Sequence, residues 1–229
     1  MIVAMAPSST LTRPAVTARR LPRRLVQLYV GLVAYGASSA LMVRARLGLD
    51  PWDVFHQGVA NRLGISLGWT VIGVGAAVLL IWIPLRQRPG LGTVSNVIVI
   101  GLAVDATLEL VPAPDPLWLR WALLIAGILL NGVATGLYIG ARFGPGPRDG
   151  LMTGLAARGH SIRLVRTGIE LSVLAAGALL GGQVGLGTLL YAVAIGPLAH
   201  VLIPALTVGR GSAAGPTGGP VPPPTPGRP

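Results

Sequence analysis

Six apolar stretches, each about as long as a bilayer core is thick, constrain this chain more than any other feature. A helix needs about 20 predominantly apolar residues to cross the hydrocarbon core. With 52% hydrophobic and only 11% charged residues, the chain also has too few polar side chains to solvate a globule. The sequence therefore predicts an all-α membrane protein with six transmembrane helices. The six stretches are residues 25–43, 68–85, 92–111, 117–140, 164–182 and 187–206.

The arginines orient these helices. All 18 basic residues are arginine, and a cytoplasmic N-terminus would place 14 of them on the cytoplasmic side and four outside. Basic residues collect in cytoplasmic loops, so we expect a multi-pass protein of the bacterial inner membrane with both termini in the cytoplasm. The net charge of +11 is explained by this topology, and with only two Phe and four Tyr we expect the lipid bilayer, not nucleic acid, as the partner.

The two ends differ in composition from the apolar part. Residues 1–22 are rich in Ser, Thr, Pro and Arg, and residues 209–229 are rich in Gly and Pro. Such segments bury little apolar surface, so we expect a disordered cytoplasmic N-terminus and a disordered tail. The first apolar stretch follows a cluster of arginines as in a signal peptide, but its length predicts a retained first helix.

An internal repeat divides the apolar part into two units, residues 23–112 and 117–208. Matching residues lie 96 positions apart up to Arg62 and 95 positions apart from Gly64 onward, including the GLGT strings that start at Gly90 and Gly185. Each unit contains three predicted spans, and an odd number turns the second copy upside down relative to the first. The sequence thus predicts an inverted-topology repeat, an architecture that recurs in secondary transporters.

Each unit also contains a short polar segment between its first two spans, residues 50–64 and 146–159, and we expect a short amphipathic or re-entrant helix there. In the DPWD motif, Asp50 suits the N-cap, Pro51 the first helical position and Asp53 a position that can reach back to the cap.

In the second copy, GPGPRD repeats this plan with Pro147 and Asp149. These residues either only start surface helices or bring two positive helix ends together as a substrate or ion site. The carboxylates of Asp53 and Asp149 disfavour the binding of an anion unless they are engaged in capping the short helices. They could equally bind a cation or a proton, so the charge of the ligand stays open.

Four acidic or histidine residues lie inside the predicted spans, namely Asp105, Glu109, Glu170 and His200. Asp105 shares one face of the third span with Gly101 and Glu109, and the repeat places His200 at the position equivalent to Asp105. Charged residues inside a span are costly and often functional, so Asp105 and His200 are candidates for a proton relay. The alternative is a structural role, in which His200 hydrogen-bonds a neighbouring helix.

Three strings resemble those of the YczE-like bacterial integral membrane proteins, which are often grouped with YitT-type proteins. They are ALMVRARLGLDPWDVFHQG, PLRQRPGLGT and GLYIGARFGPGPRDGLMTGL, and the resemblance extends over residues 23–204. It implies a membrane family with no established substrate or catalytic residue set. We expect no counterpart of the soluble C-terminal domain found in some YitT-type relatives, so a ligand-sensing role of such a domain is not implied.

The remaining motifs narrow the function by exclusion. The chain has no cysteine and three scattered histidines, so we expect neither a metal site nor a cofactor. Nucleotide-binding and catalytic motifs are missing, and an enzyme ranks last. The leading hypothesis is a secondary transporter or permease of a small molecule. The alternative is a non-transporting membrane scaffold or regulatory protein, and both are compatible with a homodimer.

Overall fold

A computed structural model describes residues 21–207 of the chain. The predicted disorder of residues 1–22 and 209–229 lies almost entirely outside the described residues. The described part is all-helical and contains no strand. Its helices are α1 (Leu21–Ala45), α2 (Pro51–Leu63), α3 (Leu67–Leu85), α4 (Leu91–Leu110), α5 (Leu117–Gly140), α6 (Pro147–Ala156), α7 (Ile162–Leu179) and α8 (Leu186–Leu206).

Five of these helices, α1, α3, α4, α5 and α8, are long and apolar enough to cross a membrane. They coincide with five of the six predicted spans. At the remaining predicted span, residues 164–182, lies α7, which has 18 residues and carries Arg163, Arg166 and Glu170. Helix α7 is not among the five, so the count of six spans stays a prediction.

The short helices α2 and α6 begin where the proline motifs predict. Asp50 is the N-cap of α2, and its Oδ1 accepts hydrogen bonds from the backbone N–H groups of Trp52 at 2.9 Å and Asp53 at 3.2 Å. Pro51 occupies the first turn, as expected. The Asp53 carboxylate contacts His56 within α2 at 3.2 Å. Helix α6 starts with Pro147 after Gly146 and has no side-chain cap.

Helices α1 and α5 form an antiparallel pair at the centre. Arg24, near the start of α1, donates to the carbonyl groups of residues 141–142 at the end of α5 at 3.0 and 3.1 Å. Arg120, near the start of α5, makes the corresponding bonds to residues 45–46 at 2.8 and 2.6 Å. Guanidinium groups at helix C-termini hydrogen-bond the free carbonyl groups and interact favourably with the negative end of the helix dipole. The bonds of Arg24 and Arg120 therefore stabilise the α1–α5 pair.

The turns that follow α1 and α5 share one backbone conformation. Arg46 and Gly48 have φ angles of 52° and 120°, and Arg142 and Gly144 have 58° and 118°. Glycine suits the left-handed region, and a Cβ on Gly48 would also lie 2.7 Å from the Thr188 backbone nitrogen. Both turns therefore hold a glycine where the chain reverses against the start of another helix.

The short helices cross over to the other half of the chain. Helix α2 packs on α7, where Gly58 meets the Gly177 carbonyl, and α6 packs on α3, where Gly150 meets the Trp82 ring. The indole Nε1 of Trp82 donates to the Pro147 carbonyl at 3.0 Å. These crossings bring the N-terminal ends of α2 and α6 together.

One pair of contacts differs between the halves. Helix α3 packs closely on α4, where a Cβ on Gly101 would lie 2.5 Å from the Gly68 carbonyl. Gly196 is equivalent to Gly101, yet a Cβ there would meet no atom within 4 Å. Helices α7 and α8 are therefore apart at the point where α3 and α4 touch.

Candidate functional site at the ends of the short helices

The N-terminal ends of α2 and α6 meet through an Arg–Asp contact. The Arg148 guanidinium lies 3.7 Å from Oδ1 of Asp50, which is 1% exposed, and 5.3 Å from the centre of the Tyr35 ring. Arg148 belongs to the first turn of α6, and Asp50 caps α2. The contact thus joins the two repeated motifs.

A large cavity of about 380 Å³ opens on one side of this junction. Its walls are the starts of α2 and α6, the C-terminal part of α5, and the facing sides of α7 and α8. We call it the large cavity. Its charged lining residues are Asp50, Arg148, Asp149, Arg166 and Glu170. Two arginines and three carboxylates therefore surround a space that the separation of α7 from α8 creates.

Several of these groups are held by hydrogen bonds. Oδ2 of Asp149 accepts from the Tyr138 hydroxyl at 2.8 Å, and Arg166 donates to Glu170 at 2.9 Å. The Tyr191 hydroxyl, on the wall of the cavity, donates to Asn131 at 3.1 Å. These bonds fix polar side chains that would otherwise be mobile in the cavity.

A small cavity of about 60 Å³ lies on the other side of the junction. It is bounded by α1, α2, α3, α4, Tyr138 of α5 and the start of α6, and we call it the small cavity. Valines from α3 form much of its wall, while Tyr35, Asp53, His56 and Asn96 supply polar groups. Close packing of α3 on α4 keeps this space narrow.

The two cavities use equivalent positions of the two halves. Shifted by 96 or 95 positions, most lining residues of the small cavity fall on lining residues of the large cavity. The chemistry changes at several of these positions, because Trp52, Val71 and Gly75 of the small cavity correspond to Arg148, Arg166 and Glu170 of the large cavity. It is kept at others, such as Asp53 and Asp149 or Ile100 and Ile195, and Asn96 corresponds to Tyr191.

The predicted site residues divide into two groups. Pro51 and Asp149 line the large cavity, and Asp53 and Pro147 line the small one, so the structure brings the four motif residues together around the junction. Asp105 and His200 line neither cavity.

Asp105 accepts hydrogen bonds from the Ser66 hydroxyl and, at 2.7 Å, from the Gly68 backbone nitrogen, and thereby fixes the start of α3 to α4. His200 is exposed on α8. Their relay stays a prediction, since no described contact joins them.

Other lining residues were not singled out from the sequence as site residues. Arg148 and Trp52 sit between the proline and the aspartate of the two motifs, at equivalent positions, which is a signal that the repeat alignment contained. Arg166 and Glu170 form an ion pair on α7, and both also face the large cavity. The i, i+4 spacing of an ion pair on a helix does not indicate which other element or cavity the pair faces.

Comparison with known proteins identifies the family. The model of a family of unknown function (DUF6198) matches residues 22–204. The chain belongs to this family. An uncharacterized protein of Haemophilus influenzae is 42% identical over 177 residues, which make up 77% of this chain and 81% of that protein. No solved structure matches the chain.

Two proteins of Bacillus subtilis are also similar. The uncharacterized membrane protein YczE is 32% identical, with 77% of this chain and 83% of that protein covered. The uncharacterized protein YyaS is 27% identical, with 76% and 90% covered. The predicted resemblance to YczE-like proteins is confirmed, and together with the five apolar helices it identifies a membrane protein.

Proposed function

We propose that this protein is a secondary transporter of a small polar organic solute, built from two inverted units that each cross the inner membrane three times. The large cavity is the observation that carries the proposal. It lies where the two short helices meet, and it combines both signs of charge with a volume of about 380 Å³. Sites of this kind, between repeats and beside the ends of interrupted helices, are typical of secondary transporters.

The equivalent contacts of the two halves support the inverted units. Each half contributes a long helix, a short helix and two further long helices in the same order. The antiparallel α1 and α5, with their matching Arg–carbonyl bonds, support an approximate two-fold relation between the halves. In this proposal α7 crosses the membrane as the fifth span, and Arg166 and Glu170 avoid lipid by facing the large cavity.

The lining of the large cavity suits a charged or zwitterionic solute. Small-molecule sites commonly measure about 300–1,000 Å³, so the cavity has room for a small metabolite. Arg148 and the uncapped start of α6 favour an anionic group, and the carboxylates of Asp149 and Glu170 favour a cationic one. An apolar solute would leave these groups desolvated without a partner.

The difference between the cavities supports alternating access. One half of the molecule has its third and fourth helices in contact, and the other half has the equivalent helices apart. If each half adopts both arrangements in turn, the site opens first toward one side of the membrane and then toward the other.

The test is solute flux in proteoliposomes, with a panel of radiolabelled metabolites and an imposed proton gradient. We expect flux of at least one solute by the wild type and its loss in Asp149→Asn and Glu170→Gln. Asp115→Asn and Glu109→Gln are matched controls, because both carboxylates are exposed and line neither cavity. No flux for any solute on the panel would contradict transport and favour the scaffold.

A further inference from the structure

The small cavity contains a buried carboxylate–imidazole pair. Oδ1 of Asp53 lies 3.2 Å from Nδ1 of His56, and the two residues are 6% and 9% exposed. The chain has three histidines, and the other two, His160 and His200, are exposed. Burying ionisable groups is costly, and such Asp and His side chains in membrane proteins commonly take part in proton movement.

Several polar atoms around this pair have no hydrogen-bond partner within the described residues. They are the hydroxyl of Tyr35, Nε1 of Trp52 and Oδ2 of Asp53, all on residues that line the small cavity and are at least nine-tenths buried. A space of about 60 Å³ with these polar groups on its wall is large enough for water, which would bridge them. Such water would give a proton a path to the pair.

The donor set favours a proton over a metal cation. Hard cations such as Na⁺ and Ca²⁺ are bound by several oxygen ligands. Here the Trp52 indole N–H is a donor only, and the Arg148 guanidinium also lines the cavity. Both repel a metal ion, whereas the Asp53–His56 pair accepts a proton at either residue.

The pair is unique to one half of the molecule. The position equivalent to His56 is occupied by Met152, although Asp149 matches Asp53. Conversely, Arg166 and Glu170 of the large cavity are replaced by Val71 and Gly75 in the small one. One cavity thus carries the charges that suit a solute, and the other carries a group that exchanges protons.

We propose that Asp53 and His56 form the proton-binding site that couples solute movement to the proton gradient, a role that rests on the proposed transport function. A hydronium ion in the small cavity transfers its proton to the pair and becomes water, and the reverse transfer releases the proton on the other side of the membrane. Arrival of the proton changes the charge of the pair from −1 to neutral. That change acts at the junction, because Asp50 and Arg148 lie beside the pair.

Charged and titratable groups face the pair from the surrounding elements, and they determine when it binds a proton. The Asp50 carboxylate favours protonation of the pair, and the Arg148 guanidinium opposes it. Helix α3 contributes only apolar residues and a glycine to the small cavity. The facing groups are Tyr35 of α1, Tyr138 of α5 and Arg148 of α6, which line the small cavity, and Asp50, the N-cap of α2, which accepts a hydrogen bond from the Asp53 backbone N–H. Asp149, Arg166, Glu170 and Tyr191 lie on the large cavity, on the other side of the junction.

The decisive experiment compares two modes of flux in proteoliposomes, using the solute identified with the metabolite panel. Asp53→Asn and His56→Gln should retain exchange of labelled for unlabelled solute at equal pH on both sides. They should lose the acceleration that a proton gradient gives the wild type. His160→Gln is the control, since His160 is exposed and outside both cavities.

The outcomes separate the two proposals. If both variants still respond to the gradient, the coupling site is wrong and transport stands. If the wild type transports nothing, both proposals are overturned.

Proton binding is measured directly with a pH-indicator dye added to the purified protein. Acidification from about pH 8 to about pH 5 should load one proton fewer per chain on the double variant Asp53→Asn, His56→Gln than on the wild type. An equal proton uptake by the two proteins would show that the pair does not exchange protons.

Discussion

Glycine occupies the points where helices of the two halves cross most closely, so single methyl groups matter here. A Cβ on Gly150 would lie 2.0 Å from the Trp82 ring, which is itself held by its bond to the Pro147 carbonyl. In contrast, a Cβ on Gly168 would meet no atom within 4 Å. The two positions offer a matched test of how tightly α6 is seated on α3.

We expect Gly150→Ala to destabilise the protein by about 1–3 kcal/mol, because overpacking forces the indole or the helix to shift. Gly168→Ala should be neutral or stabilise by up to about 1 kcal/mol, since alanine favours a helix more than glycine does. The measurement is the thermal unfolding midpoint in detergent. Equal midpoints for the two variants would contradict the close α3–α6 contact.

The sequence indicates some residues of the candidate site and misjudges others. The repeat marks the motif residues Pro51, Asp53, Pro147 and Asp149 twice, and all four line the cavities at the junction, while their role in a site stays a prediction. Asp105 was conspicuous as a charge within a span, yet it caps α3 through Ser66 and Gly68. Sequence position does not distinguish a carboxylate that faces a cavity from one that faces a helix end.

At the scale of helices, the central α1–α5 pair depends on its two Arg–carbonyl clamps. Arg120→Gln removes two hydrogen bonds to the end of α1 and the favourable charge at that helix terminus. Because hydrogen bonds to charged groups contribute about 1.5–3 kcal/mol, we expect a loss of stability of that order.

Arg24→Gln should have a similar effect on the clamp at the end of α5, and both are measured by thermal unfolding. Arg88→Gln is the control, because Arg88 is exposed. A loss of stability in only one of the two clamp variants would argue against equivalent halves.

The helix boundaries followed from the sequence, but the packing did not. Apolar length and proline–aspartate motifs predict where helices begin and end, since both are local signals. The crossing of α2 to α7 and of α6 to α3 is not local. It depends on close approaches such as that of Gly58 to Gly177, and glycine is too frequent in this chain to point to a particular partner.

Alternating access requires the separation between α7 and α8 to change. A Cβ on Gly75 of α3 would lie 3.6 Å from Cβ of Val97 on α4, a distance typical of a disulfide. The chain contains no cysteine, so Gly75→Cys with Val97→Cys introduces a single pair. We expect this pair to oxidise readily, to block solute flux by holding α3 on α4, and to recover flux on reduction.

The equivalent pair, Glu170→Cys with Ala192→Cys, joins α7 to α8 and tests the opposite state. This pair should form a disulfide only when α7 closes on α8. The rate of disulfide formation should therefore rise under conditions that separate α3 from α4. Gel mobility after oxidation measures both pairs. Unchanged flux in the oxidised 75–97 variant would show that α3 and α4 do not separate during transport.

At the scale of the whole molecule, the number of spans decides whether the halves are inverted. Three crossings per half place the second unit upside down, and three crossings in the second half require α7 to span the membrane. The sequence predicts this from length and repeat, but the charges Arg163, Arg166 and Glu170 oppose it. In the proposed arrangement the large cavity beside Arg166 and Glu170 keeps both charges away from lipid and so removes much of that cost, and a cavity is not visible in a sequence.

Impermeant maleimide labelling of single cysteines in intact cells measures the topology. His160 precedes α7 and Val184 follows it, and both are exposed. If α7 crosses the membrane and both termini are cytoplasmic, Val184→Cys should be labelled from outside, and His160→Cys only after lysis. Asp115→Cys and Arg88→Cys, in the connections on either side of α4, are the outside and inside references. Labelling of positions 160 and 184 from the same side would leave α7 within one leaflet, give the second half two spans, and remove the inversion on which the transport proposal is built.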